Sequence, residues 1–158
     1  MTALPDNQLL ITNLEDHCVE QLNLGTMDII PYAANCNGTQ GYSHIGHRLR
    51  DVVLDFPIGI LYDGQHDVFV SLHNARKLLR IDTSDGMCNV VMTTHYSLRL
   101  LGYRLSTDRI YVTLNNGFGY VGNGLVEDVI GTYSIGAGRS VGSMETTKMH
   151  FAQSFAEI

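Results

Sequence analysis

The fold of this chain is decided by a short phrase that occurs three times, as Leu9-Leu10-Ile11-Thr12, Val68-Phe69-Val70-Ser71 and Ile110-Tyr111-Val112-Thr113. Each phrase is a run of aliphatic or aromatic residues closed by a hydroxyl residue, a composition typical of β-strands. Each is followed by a polar break, a second strand-like run, a turn and a third run. The chain therefore contains an internal repeat of a multi-stranded unit, which predicts an all-β fold.

The spacing of the repeat favours a β-propeller. The closing hydroxyl residues of the three phrases lie 59 and 42 residues apart, and a four-stranded propeller blade takes about 40–45 residues. The longer first interval then requires an insertion of roughly 15 residues. We place the insertion between Asn35 and Asp55, where a glycine-rich polar stretch breaks the strand pattern.

The second repeat is complete and reads as a four-stranded meander, whose strands we name A, B, C and D. Its predicted strands are residues 56–62, 67–71, 77–81 and 88–93, with turn signals such as Asp63-Gly64 between them. The corresponding strands of the third repeat are 98–103, 109–113, 118–121 and 129–133. In the first repeat, residues 14–22 also carry a helical apolar pattern, but the register of the repeat favours a strand there.

The two ends of the chain complement each other in this alignment. Residues 8–34 match strands B to D of a blade that lacks strand A, residues 54–94 and 97–134 match two whole blades, and residues 149–158 match a strand A. The chain therefore reads BCD-ABCD-ABCD-A, about three blades in a shifted frame, whereas closed propellers typically have 4–8. We expect half of a six-bladed ring completed by homodimerisation, with each copy lending its strand A to the other. The alternative is a fragment of a longer propeller.

The second repeat also carries the motifs of a known family. These are Phe56-Pro57-Ile58-Gly59-Ile60 with Asp63-Gly64, the phrase Val68-Phe69-Val70-Ser71, and Lys77-Leu78-Leu79-Arg80-Ile81-Asp82. In these motifs the chain resembles the NHL-repeat β-propellers. The first repeat is similar to the same family at Asp16-His17-Cys18-Val19-Glu20-Gln21-Leu22. The resemblance implies a propeller with a central channel. It implies no single activity, because the family includes RNA-binding modules, protein-interaction modules and a zinc-containing peptide-amidating lyase.

A candidate binding face follows from the strand order. In an A-B-C-D meander the B–C and D–A loops emerge at the same end, where the B–C loops supply acidic, amide and imidazole side chains. The candidate residues are Glu15, Asp16, His73, Asn74, Asn115 and Asn116. Such groups suit a polar ligand, a cation or a peptide backbone. The alternative is that Asn and Asp occur there because they form turns.

A zinc site is the second candidate. His44-Ile45-Gly46-His47 has a metal-like spacing, and neutral imidazoles suit zinc, with His17, His73 or Asp16 as a possible third ligand. No His-Glu-x-x-His or Gly-x-x-x-x-Gly-Lys motif is present in the sequence. Gly138-Arg139-Ser140-Val141-Gly142 has the Gly-x-Ser-x-Gly spacing, but this glycine-rich stretch aligns with the other D–A linker rather than with a strand-to-helix turn. We therefore expect a non-enzymatic scaffold without a cofactor that binds a protein or other polar ligand. The alternative is a zinc-dependent lyase, and an RNA-binding module ranks third.

Composition limits the partners further. The formal net charge is −6, with 10 Lys and Arg residues against 16 Asp and Glu, which argues against a nucleic-acid surface because such binding needs clustered cations. No apolar run approaches the roughly 20 residues of a membrane span. Residues 1–7 lack the basic and apolar regions of a signal peptide.

The cysteines and one asparagine bear on the cellular compartment. Cys18 and Cys36 lie on either side of a predicted hairpin, where a disulfide is geometrically plausible, and Cys88 falls in a predicted strand as a buried thiol. Asn37-Gly38-Thr39 is a sequon for N-glycosylation. Together these features favour a secreted or extracellular protein.

Overall fold

The computed structural model describes residues 1–41, 47–95, 97–104, 109–114 and 117–122. These residues form β-strands and no helix, and so none of them belongs to a helix that could cross a bilayer. The strands are β1 (Thr2–Leu4), β2 (Gln8–Asn13), β3 (Cys18–Asn23), β4 (Ile29–Ala33), β5 (His47–Arg48), β6 (Pro57–Tyr62), β7 (Asp67–Leu72), β8 (Lys77–Asp82), β9 (Met87–Thr93), β10 (Leu98–Arg104), β11 (Arg109–Leu114) and β12 (Gly117–Gly122). The all-β prediction is confirmed.

The strands form three antiparallel sheets, one for each repeat. The first sheet has the order β1-β2-β3-β4, the second β6-β7-β8-β9 with β5 on the outer edge of β9, and the third β10-β11-β12. Within each sheet, strands adjacent in sequence pair directly, as expected for a meander. Residues 14–22 of the first repeat, which also carry a helical apolar pattern, lead into and contain most of the strand β3, as the register of the repeat predicted.

The first sheet corrects one expectation. The sequence predicted no strand A in the first repeat, but Thr2–Leu4 forms β1 and pairs with Gln8–Leu10 of β2. The reversal is possible because Asp6 and Asn7 adopt φ angles of 60° and 57°, a left-handed conformation that Asp and Asn tolerate better than other side chains. Along this part of β2, the edge at which a strand A would pair is therefore already occupied by β1 of the same chain.

The core lies between successive sheets. On β7, alternate residues point to opposite faces. Val68 and Val70 pack in a cluster with residues of the first sheet, while Phe69 packs in a second cluster with Ile110 and Val112 of the third sheet. Each fully buried side chain of this size contributes about 1.5–3 kcal/mol, so the two clusters hold the three sheets in sequence.

The insertion between the first two repeats is partly structured. It contributes β5, whose His47 and Arg48 pair with Cys88 and Met87 on the edge of β9. Val52 is buried in the cluster between the first two sheets. The insertion therefore adds a fifth strand to the second sheet, where the sequence predicted only a loop.

The described residues form three sheets and no closed ring. The predicted fourth strand of the third repeat, residues 129–133, and the predicted returning strand, residues 149–158, lie outside the described residues. What is observed is a row of antiparallel meanders, and the propeller remains a prediction.

Candidate functional site

The B–C and D–A connections lie at one end of the sheets. In the first repeat, the Gly38 N–H donates to the Asp16 carbonyl at 3.1 Å, and in the second the Thr94 N–H donates to the Arg76 carbonyl at 2.9 Å. The A–B and C–D turns meet at the opposite end, where the Thr83 N–H donates to a carbonyl of the A–B turn. We call the end that carries the B–C and D–A connections the loop face; it is formed by residues 14–17, 34–41, 73–76 and 94–95.

Two of the predicted binding residues on this face, Asp16 and Asn74, form hydrogen bonds with neighbouring side chains. Glu15, Asp16 and Asn74 are exposed. The side-chain amide of Asn13 donates to an Asp16 carboxylate oxygen at 3.0 Å, and the Asp16 N–H donates back to Asn13 Oδ1 at 3.0 Å. Asn74 Nδ2 lies 3.5 Å from a carboxylate oxygen of Asp55. These contacts favour the turn-forming alternative. Asn115 and Asn116 lie outside the described residues.

Two histidines, which we call the braced histidines, link turns of the loop face to main-chain groups of the following repeat. His17 is 4% exposed, and its Nδ1 accepts a hydrogen bond from the Phe56 N–H at 3.2 Å. His73 Nδ1 lies 2.9 Å from the Leu98 carbonyl oxygen, so this nitrogen must carry a proton and donate. The Phe56 ring lies near both imidazoles, with its centroid 6.0 Å from that of His17 and 6.1 Å from that of His73. Each histidine thus joins a B–C turn to the beginning of the next repeat, a role that sequence reasoning missed.

The structure brings no zinc site together among the residues it describes. His44 lies outside them, and His47 is described only by its backbone in β5. Neither His17 nor His73 lies in a group of three metal-ligand side chains among the described residues. Ligand-type atoms of Cys18, Glu20 and Cys36 lie within 4.8 Å of one another, but a disulfide sulfur is not a thiolate and does not serve as a zinc ligand.

The predicted disulfide is present. The sulfur atoms of Cys18 and Cys36 are 2.12 Å apart, with their Cα atoms 5.0 Å apart. The bond links the start of β3 to the linker that follows β4, on the loop face. Cys88 is a buried free thiol in β9, as predicted. Burial, with a smaller contribution from the Asp85 charge, raises the pKa of Cys88 to about 12.

The hydroxyl residues that close the three phrases share one structural role. Ser71 Oγ accepts a hydrogen bond from the Gly59 N–H at 2.8 Å and donates to the Arg99 carbonyl. Thr12 Oγ1 donates to the Ile58 carbonyl at 3.0 Å. We call Thr12, Ser71 and Thr113 the hydroxyl column.

The hydroxyl column links all three sheets. Thr113 Oγ1 accepts from the Leu100 N–H at 2.9 Å. The hydrogen bonds therefore run from Thr12 to the peptide group 58–59, then to Ser71, to the peptide group 99–100 and to Thr113. The pairing register of strand A shifts between Pro57 and Ile60, and again between residues 98 and 101. Because of these shifts, the peptide groups 58–59 and 99–100 lie outside the regular pairing of strands A and B. The hydroxyl groups form their hydrogen bonds instead.

Gly59 makes the contact between the second and third sheets possible. A Cβ atom at this position would overlap the Arg99 carbonyl oxygen and would lie 2.8 Å from Ser71 Oγ. The equivalent residue of the third repeat, which donates its N–H to Thr113, is Leu100, and its side chain is 50% exposed. Among the described residues, the backbone-to-backbone contact made at Gly59 has no counterpart at Leu100.

A small pocket lies beside the disulfide on the loop face. Its volume is about 70 Å³, and its polar lining includes His17, Asn35, Asn37 and Asp51. A space of this size has room for a few water molecules. It is smaller than the cavities expected of a substrate site.

Comparison with known protein families and with curated proteins gives no match to this sequence. The resemblance to NHL-repeat propellers therefore depends on the strand and turn motifs quoted above, and it stays a prediction. The functional interpretation must come from the contacts between the sheets and from the state of the loop face.

Proposed function

We propose that this chain is a non-enzymatic scaffold of the propeller type, which binds a second copy of itself through the outer faces of its end sheets and offers its loop face to a protein partner. The observation that carries the proposal is the exposure of equivalent phrase positions in the three repeats. It separates the faces that a neighbouring sheet covers from those that no described sheet covers.

The third position of the phrase faces the preceding sheet. It is fully buried in the second and third repeats, where Val70 and Val112 are both 0% exposed. In the first repeat the same position is Ile11, which is only half-buried. The second position faces the following sheet: Phe69 is buried, and the equivalent Tyr111 is half-buried. In the described part of the chain, the outer faces of the first and third sheets are therefore partly uncovered and carry apolar side chains.

Leu100 determines how a partner meets the third sheet. Because its Cβ stands where Gly59 has none, an incoming strand cannot approach as closely as β10 approaches β6. The partner sheet must instead pack on the Leu100 side chain. Burying the exposed half of a leucine contributes about 1 kcal/mol, so association needs the contribution of both end faces.

The position of β1 favours face-to-face association over strand exchange. Because β1 already pairs with Gln8–Leu10, an incoming strand A would have to displace it. A second copy that packs against the faces containing Ile11 and Leu100 needs no such displacement. This geometry still permits a heterologous contact, which closes into a ring when the rotation between copies allows it.

The hydrogen bonds within the loop face support a binding role. Asn13, Asp16 and Asn74 interact with neighbouring loop side chains, and the two braced histidines use Nδ1 for main-chain contacts. Rigid turns with exposed carboxylates and amides suit recognition of a partner's polar surface.

Sedimentation velocity of the full chain over a concentration series tests the association. We expect a reversible dimer, and Ile11→Lys and Leu100→Lys should each shift the equilibrium to monomer. Leu24→Lys is the matched control, because Leu24 is a 44% exposed leucine at the opposite turn of the first sheet. A wild-type protein that stays monomeric throughout the series, or a dimer that both end-face variants retain, contradicts the proposal.

Metal analysis of the same protein separates the scaffold from the lyase alternative. The scaffold predicts no stoichiometric zinc. Zinc bound at one ion per chain and lost in His44→Ala would favour the lyase.

A further inference from the structure

The chain contains one N-glycosylation sequon, Asn37-Gly38-Thr39, since no other asparagine is followed two positions later by Ser or Thr. The structure places the sequon in the linker after β4, directly after Cys36. All three of its residues are exposed. The motif is therefore accessible, unlike a chance sequon buried in a strand.

The local backbone presents the asparagine in a defined turn. Asn37 Oδ1 accepts a hydrogen bond from the Thr39 N–H at 3.1 Å, and Gly38 adopts a φ of +74°, which glycine does without strain. This bond uses the side-chain oxygen of Asn37. It leaves Nδ2, the atom that carries the sugar in a glycoprotein, without a hydrogen bond to any residue that the structure describes.

The neighbouring disulfide is an independent indication of the compartment. Disulfides form and persist in oxidising surroundings such as the endoplasmic reticulum lumen and the extracellular space. Transfer of N-linked glycans takes place on the same lumenal side. Cys36, which is bonded to Cys18, and Asn37 are adjacent, so both modifications concern one short linker.

We propose that Asn37 is an N-glycosylation site, which takes an oligosaccharide from a lipid-linked pyrophosphate donor. In the transfer, Asn37 Nδ2 forms a bond to C1 of the first N-acetylglucosamine. The bond from C1 to the pyrophosphate oxygen breaks, the lipid pyrophosphate leaves, and the amide loses one proton to a base of the transferase. No oxidation or reduction is involved.

The surroundings of Asn37 determine where the glycan lies. The adjoining pocket of about 70 Å³ is too small for a sugar ring with its N-acetyl group, so the glycan extends into solvent. Because the Gly38 N–H is bonded to the Asp16 carbonyl, the glycan begins beside the B–C turn of the first repeat. It shields that end of the loop face and leaves the end containing His73 and Asn74 open.

The test is expression of the full chain with a cleavable signal peptide in eukaryotic cells, followed by peptide N-glycosidase digestion. We expect a single-step mobility shift and conversion of Asn37 to Asp in the peptide mass spectrum. Asn37→Gln and Thr39→Ala should abolish both signals, and Thr39→Ser should retain them. Asn35→Gln is the matched control, because Asn35 is also exposed in this linker but lies outside a sequon.

A second readout measures glycan transfer to variants or wild-type chains that the cells do not secrete. Translation in a cell-free system with microsomes reports the transfer independently of later folding and export. A wild-type chain that carries the signal peptide and enters the microsomes without receiving a glycan, or a glycan that remains in Asn37→Gln, overturns the proposal. Neither outcome depends on the oligomeric state, so this test is separate from that of the scaffold.

Discussion

Ser71→Ala should destabilise the protein more than any other single hydroxyl deletion in the hydroxyl column. Ser71 is 0% exposed and bridges two sheets, accepting from the Gly59 N–H at 2.8 Å and donating to the Arg99 carbonyl. The substitution removes one oxygen atom and adds no bulk. Its effect therefore measures the hydrogen bonds rather than a change in packing.

The magnitude follows from the surroundings of the two bonds. Gly59 is buried, so its N–H loses its hydroxyl partner where water does not replace it, at a cost of about 1–3 kcal/mol. Loss of the bond to Arg99 adds about 1 kcal/mol. We expect a decrease of about 3 kcal/mol in the free energy of unfolding, or roughly 6–12 °C in Tm for a chain of this size.

Urea denaturation followed by far-UV circular dichroism measures the effect. Thr113→Val should cost less than about 1 kcal/mol, because Leu100 is 50% exposed and its N–H can bond to water. Ser84→Ala is the matched control, since Ser84 is exposed in a turn and its hydroxyl donates to Asp82. A Ser71→Ala protein within about 0.5 kcal/mol of wild type, or equal losses in Ser71→Ala and Thr113→Val, would refute the bridging role.

Two further predictions concern the cysteines. Reduction of the bond between Cys18 and Cys36, whose sequence separation is 18, should lower the free energy of unfolding by about 3 kcal/mol because the unfolded chain gains loop entropy. Urea midpoints with and without reductant check this, and equal midpoints with both thiols confirmed as reduced would contradict it. Cys88 should resist iodoacetamide in the folded, unreduced protein, because it is 1% exposed and its pKa is raised to about 12. Mass spectrometry should find no label before urea and one label after, and rapid labelling of the folded protein would show the thiol to be accessible.

Local sequence was sufficient to predict the strands of the second repeat and the disulfide. Alternating apolar residues between turn pairs such as Asp63-Gly64 specify a strand without help from distant residues. The pairing of Cys18 with Cys36 follows from the hairpin between them. By contrast, β1 was missed because Thr2–Leu4 is only three residues long, too short to give a periodic signal. Its pairing depends on the turn formed by Asp6 and Asn7.

The candidate site depends on contacts between distant residues more than the strands do. The expected binding residues Asp16 and Asn74 do lie on the loop face, but they are occupied by turn contacts. The histidines that shape this face, His17 and His73, act through main-chain groups 39 and 25 residues away. No local pattern indicates a contact at that distance, so sequence reasoning could not find these two links. The zinc alternative at His44 and His47 stays a prediction.

The sequence by itself determined the repeat, the order of the strands and the hydroxyl residue that closes each phrase. These are properties of neighbouring residues, because alternation and turn chemistry act over a few positions along the chain. Only the tertiary structure decided what the hydroxyls do. Ser71 reaches the Arg99 carbonyl because Gly59 has no Cβ to hold the third sheet away, whereas the equivalent position of the third repeat is Leu100, which is 50% exposed. The different roles of the hydroxyl groups depend on which atoms of two sheets come into contact, and the sequence of one sheet does not determine that contact.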